Sequence, residues 1–146
     1  VSELGRAVEG AVKAAHELQE ELELIDIALH KTQDAEMSLF KQVATMKKTT
    51  LEILHALTGD RTVRQRYASD PPSIRERVQR ILYGFWRSTS APTQTMRDQY
   101  TIAGNEFIPQ LAELKQLVDV DLKNLKKILE KSGAPWTPGR VPVWNK

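Results

Sequence analysis

Cysteine is absent from this chain of 146 residues, which removes disulfides, thiolate metal sites and cysteine nucleophiles. Aromatic residues make up only 6%, so aliphatic side chains must fill most of any core. Glycine is scarce, with seven residues, and none of them forms a glycine-rich phosphate loop. The prolines fall at 71, 72, 92, 109, 135, 138 and 142, so the first 70 residues lack the strongest helix breaker. No run reaches the roughly 20 apolar residues that a membrane-crossing helix needs. What remains is 40% hydrophobic and 27% charged, the balance of a folded globular domain.

The apolar residues are strongly ordered along the chain. Leu4, Val8, Ala11, Ala15, Leu18, Leu22, Ile25 and Leu29 follow one another at alternating steps of four and three. That spacing is a heptad seam, and it predicts a first helix over about 2–31 whose stripe is buried against other helices. A second seam, Leu39, Val43, Met46, Thr50, Ile53 and Leu57, predicts a helix over about 35–57, with Asp34 as its cap and Gly59 as its stop. Residues 1–36 carry nine acidic and three basic side chains, and residues 37–87 carry four acidic and ten basic. Helices of opposite sign attract along their flanks, which favours pairing them within one bundle.

Asp60 can cap a short helix through Thr62 to Tyr67, and Pro71-Pro72 stops it. Ser73-Ile74-Arg75-Glu76 reads as a capping box opening a third helix to about Arg87, with Ile74, Val78, Ile81, Leu82 and Phe85 on its buried face. A fourth helix is predicted over about 91–131, capped by Ser90, with a kink near Asn105–Glu106 because Pro109 sits inside it. Its stripe is Met96, Tyr100, Ala103, Phe107, Leu111, Leu114, Val118, Leu122, Leu125 and Leu129. The expectation is an all-α, up-and-down four-helix bundle with three long helices and one short. Residues 1–133 form the bundle, and 134–146 form an extended tail bearing proline and tryptophan, packed on the bundle or on a neighbouring domain.

The patterns that carry chemistry fail on inspection. Glu52-Ile53-Leu54-His55 has the Glu-x-x-His spacing of di-iron bundles, but neither His16 nor His30 supplies the second motif. His16-Glu17 begins like a zinc-protease helix, yet Glu20 stands where the second histidine belongs. The hydroxyls of Ser88, Thr89, Ser90 and Thr93 read as turn caps. Arg61, Arg64, Arg66, Arg75, Arg77, Arg80 and Arg87 suggest a polyanion surface, but only Tyr67 is interleaved as a stacking ring and the net charge is only +2. A solvated or intramolecular salt-bridging face accounts for them better, and the reading is against nucleic acid. No catalytic residue, metal or cofactor is expected. Partner or interdomain contact is assigned to Trp136, Arg140 and Trp144, two large rings and a cation on a stiff tail.

Three segments carry a family resemblance: Thr58-Gly59-Asp60-Arg61-Thr62-Val63, Ser88-Thr89-Ser90-Ala91-Pro92-Thr93, and Gly133 through Trp144. From about Leu18 onward the chain resembles the C-terminal region of bacterial Asp-box (BNR) repeat proteins. Their sialidase-like or sortilin-like β-propeller is commonly labelled glycosyl hydrolase. The resemblance implies a C-terminal helical domain cut from a longer extracytoplasmic protein; with the heptad seams, the tryptophan-bearing tail and the absent catalytic set, the expectation is a non-catalytic accessory domain docking on the upstream propeller or forming a homodimer. It also implies an alternative role as a wall or lid of a glycan site on that propeller. No Asp-box pattern occurs in this chain, so no catalytic residue carries over.

Overall fold

The computed structural model describes residues 1–66, 70–88 and 90–144, apart from the Arg64 side chain. The first seam is the inside of a single helix, α1 (Ser2–His30). Seven of its eight predicted residues are buried and Leu4 is half-buried against them; Val12 and Ala28 widen the stripe. A six-residue connection follows, in which Asp34 takes a left-handed conformation (φ 56°) and turns the chain. Asp34 therefore does not cap the next helix; the extended residue before α2 (Met37–Thr58) is Glu36. Every predicted seam residue of α2 is buried. Thr50 is tolerated there because its hydroxyl donates to the Met46 carbonyl at 2.7 Å, so its own polar atom is satisfied. Gly59, at φ 85°, ends α2 in a backbone conformation that a side chain would strain.

Asp60 accepts the Thr62 backbone N–H at 2.8 Å and opens a single short turn of helix, α3 (Arg61–Gln65). That bond and the Thr62 hydroxyl hold the Asp60 carboxyl below its ordinary pKa. Tyr67, where this helix was expected to end, lies outside the described residues. Ser73 and Glu76 close a reciprocal capping box on α4 (Ile74–Arg87). Its inner face is Ile74, Val78 and Ile81, with Leu82 and Phe85 half-buried. The next helix, α5 (Gln94–Gln116), starts later than expected, and its cap is the Thr93 hydroxyl on the Met96 N–H, not Ser90. Pro92 explains the delay, since it holds the residue before it in extended backbone.

The described residues are all-helical, as the periodicity implies, with α1, α2 and α5 long and α4 shorter. Lys47 of α2 meets Glu23 and Asp26 of α1 at 3.1 and 2.7 Å, and the rings of Phe40 and His30 meet edge to face, so α1 and α2 are antiparallel. Burial lowers the Lys47 pKa, but the two carboxylates outweigh it and raise the value overall. Arg75 of α4 forks onto Glu9 at 2.7 and 2.8 Å, while Val78 and Leu82 lie against Gly5, so α4 is antiparallel to α1 as well. α5 runs antiparallel to both α2 and α4, with Arg77 on Gln99 and Glu106, and Gly84 against the Met96 methyl. The sense along the bundle is thus up, down, down, up, not strictly alternating. The reason is length: α1 extends about 44 Å against about 33 Å for α2, and α4 fills the part of α1 and α5 that α2 leaves bare. In cross-section the long described helices form three columns, the middle one made of α2 and then α4.

The third column is continuous through Pro109: α5, then a π-turn at Leu117–Asp121, then α6 (Leu122–Lys131). Here the expected irregularity near Asn105–Glu106 gives way to one about a dozen residues later. Its cause is readable in the buried residues, Leu114, Leu117, Leu122, Leu125 and Leu129. They step by three, five, three and four, so the stripe is a heptad carrying one extra residue between 117 and 122. A wide turn absorbs that residue and returns the leucines to the inside. Leu117 is the buried side chain there, and Val118, assigned to the stripe from sequence, is only half-buried.

Deleting the exposed Val120 should therefore be tolerated. It restores the three–four alternation, leaving helical circular dichroism and a cooperative melt. Deleting Gln19 instead rotates Leu22, Ile25 and Leu29 about 100° off the seam and should abolish the melt. Equal damage from both deletions would contradict this account of the π-turn.

Candidate interaction surfaces

Beyond Lys131 the chain turns at Gly133 and folds back on α6. Ala134 and Thr137 are buried, and Gly139 (φ 79°) lies against Lys126 and Glu21, which are themselves ion-paired. That contact is about 28 Å along α1 from Ser2. Arg140 fastens the loop. Its guanidinium donates to Glu130 Oε2 at 2.6 Å and to the Pro135 and Ala134 carbonyls at 2.7 and 3.2 Å, and its side chain is only 6% exposed. The Trp136 indole N–H donates to the Arg140 carbonyl at 2.8 Å, closing a small ring of contacts. These contacts tie Arg140 to α6 and to the base of the tail. Trp136 and Trp144 remain exposed, at 64% and 84%, with Val141 and Val143 between them facing solvent. Residues 145 and 146 of the expected tail lie outside the described residues.

A second surface, unmarked by any sequence motif, lies at the end of the bundle where α1 starts. Val1, Ile81, Phe85, Pro92, Met96 and Tyr100 line an open apolar groove of about 360 Å³. On the same helix as the lining residues Ile81 and Phe85, Trp86 is 90% exposed and Tyr83 carries the Arg87 guanidinium over its ring at 5.2 Å. Both aromatics belong to α4 but lie off the face that Ile74, Val78 and Ile81 bury. The signal that could have found them is the run of three aromatics within four residues, Tyr83, Phe85 and Trp86, at the end of a short helix.

The remaining sequence candidates do not converge. His55 is 43% exposed, its Nδ1 4.0 Å from Asp60, and Glu52 points to solvent. Among the described residues, no group of three or more His, Cys, Asp or Glu side chains is disposed to hold a metal ion. Arg75 and Arg77 are held by Glu9, Gln99 and Glu106, as expected for an intramolecular role, while Arg61, Arg66 and Arg80 are exposed. The Arg64 side chain, Tyr67 and Thr89 lie outside the described residues. Ser88 and Thr93 both serve the turn between α4 and α5, accepting the N–H groups of Ser90 and Met96. No helix of the described residues is long and apolar enough to cross a membrane.

Arg140→Ala should release the tail without disturbing the bundle. Limited proteolysis should then cut within 134–144 far faster than in the parent chain, with the helical melt nearly unchanged; equal resistance would show that Arg140 is not the fastener. Comparison with protein-family models, curated proteins and solved structures gives no match to this chain.

Proposed function

We propose that this chain is a non-catalytic accessory domain that docks, through the aromatic end of its bundle, on a neighbouring folded domain. The resemblance in Thr58–Val63, Ser88–Thr93 and Gly133–Trp144 makes that neighbour an upstream β-propeller of the same protein. The observation that supports the reading best is Trp86, 90% exposed and next in sequence to Phe85, which lines the same groove as Val1. A domain joined ahead of Val1 would enter the molecule at this groove. A fully exposed tryptophan next to an apolar concavity is the usual make-up of an interface anchor. Trp136 and Trp144, first assigned to such a contact, lie well up the bundle from that junction. The lid reading gains nothing from Arg140, whose guanidinium is held inside the chain.

The test is to mix the domain with the separately prepared region encoded ahead of Val1. Association is expected, and Trp86→Ser together with Tyr83→Ser should weaken it about thirtyfold, the effect of losing one anchor of about 2 kcal/mol. The helical melt should not change, since both side chains face solvent. A wild-type domain that fails to associate, and stays monomeric in light scattering, would contradict the proposal.

A further inference from the structure

At the other end of the molecule, α6 and the tail combine two properties that no contact within the chain uses. The first is charge. Residues 122–144 carry five basic side chains and one acidic. Arg140 neutralises Glu130, and Lys126 is bridged to Glu21. Lys123, Lys127 and Lys131 are left, at i, i+4 and i+8 along one exposed stripe, with no acidic partner among the described residues. The second is exposed apolar surface. Trp136, Val141, Val143 and Trp144 face solvent, and Ile128, 38% exposed, stands between the lysines.

We infer that this end of the molecule binds an anionic membrane surface. Lysine and tryptophan are the side chains that favour the two layers of a lipid interface. The ammonium groups meet the headgroup charge, and the indoles settle at the boundary with the acyl chains. The valines and Ile128 enter just below them. Arg140 supplies the rigidity: it ties the base of the tail to Glu130, Ala134 and Pro135, so Trp136 is held before any lipid arrives and little order remains to be imposed. Charge complementarity favours a lipid surface over a protein pocket, because the three free lysines lie spread along one turn after another of α6. Each lysine close to an anionic surface contributes about fivefold in affinity. The contact is peripheral, consistent with the lack of a helix able to cross a bilayer among the described residues. It is independent of the docking proposed for the Val1 end, and the two are separable by experiment.

The probe is vesicles of phosphatidylcholine, with and without phosphatidylserine, sedimented with the full chain at low ionic strength. The chain should pellet with the phosphatidylserine vesicles and not with phosphatidylcholine alone. Its tryptophan emission should shift to the blue, and added salt should release it. Lys127→Glu with Lys131→Glu, and separately Trp144→Ser, should each weaken binding at least tenfold while the helical melt is preserved. No pelleting at low salt, equal binding to both vesicle types, or binding indifferent to both variants would each overturn the proposal. So would capture of the upstream region by the tail in place of vesicles, which would assign the strip to a protein partner and leave the docking reading standing.

Discussion

Everything in this molecule leans on the buried stripe of α1. It contacts α2, α4 and α5 in turn and packs most extensively on α2, and its inner residues, Val8, Ala15, Leu22, Ile25 and Leu29 among them, are essentially closed to solvent. Each such aliphatic side chain contributes roughly 1.5–3 kcal/mol when buried, whereas the surface ion pairs that decorate the helix flanks contribute about 1 kcal/mol or less. The charge asymmetry along the chain therefore chooses partners and register more than it holds them. Lys47 between Glu23 and Asp26, and Arg75 on Glu9, show that choice at the two halves of α1.

Because α1 is longer than α2, the fold has to place something against its first turns. The answer is a divided middle column: α2 covers the upper part and α4 covers the rest. This is why α4 shares the direction of α2. The break leaves a helix of only 14 residues at the end of the rod, flanked by α1 and α5. Its outer aromatics consequently have no fourth helix to cover them. Exposed Trp86 and Tyr83 are thus a consequence of the same length mismatch that sets the topology.

Much of this was legible in the sequence, because aliphatic periodicity is a strong and local signal. Both seams of α1 and α2, the capping box at Ser73 and Glu76, and the stop at Gly59 lie where the residues imply. The direction of α4 was not legible, since helix sense depends on where a loop leads and not on the helix itself. The π-turn was written in the spacing of Leu117 and Leu122, but Val118 offered a plausible alternative with steps of four, and only packing decides between them. At the surface, the two tail tryptophans were evident as large rings on a stiff segment. The role of Arg140 was not, because its partners, Glu130 and two carbonyls, become neighbours only when the tail folds back. The aromatic end near Val1 was missed for a related reason: no motif marks a residue that simply lacks a neighbour.

Both halves of the molecule share α1 as their support. Leu22 is the most direct place to probe it, fully buried near the middle of the seam. Leu22→Asp places a carboxylate where no partner can reach it, at a cost of several kcal/mol against a total stability of about 5–15 kcal/mol. A thermal melt followed by circular dichroism should then show no cooperative transition anywhere in the molecule. A melt that keeps its midpoint and steepness would contradict the buried seam on which the fold has been built.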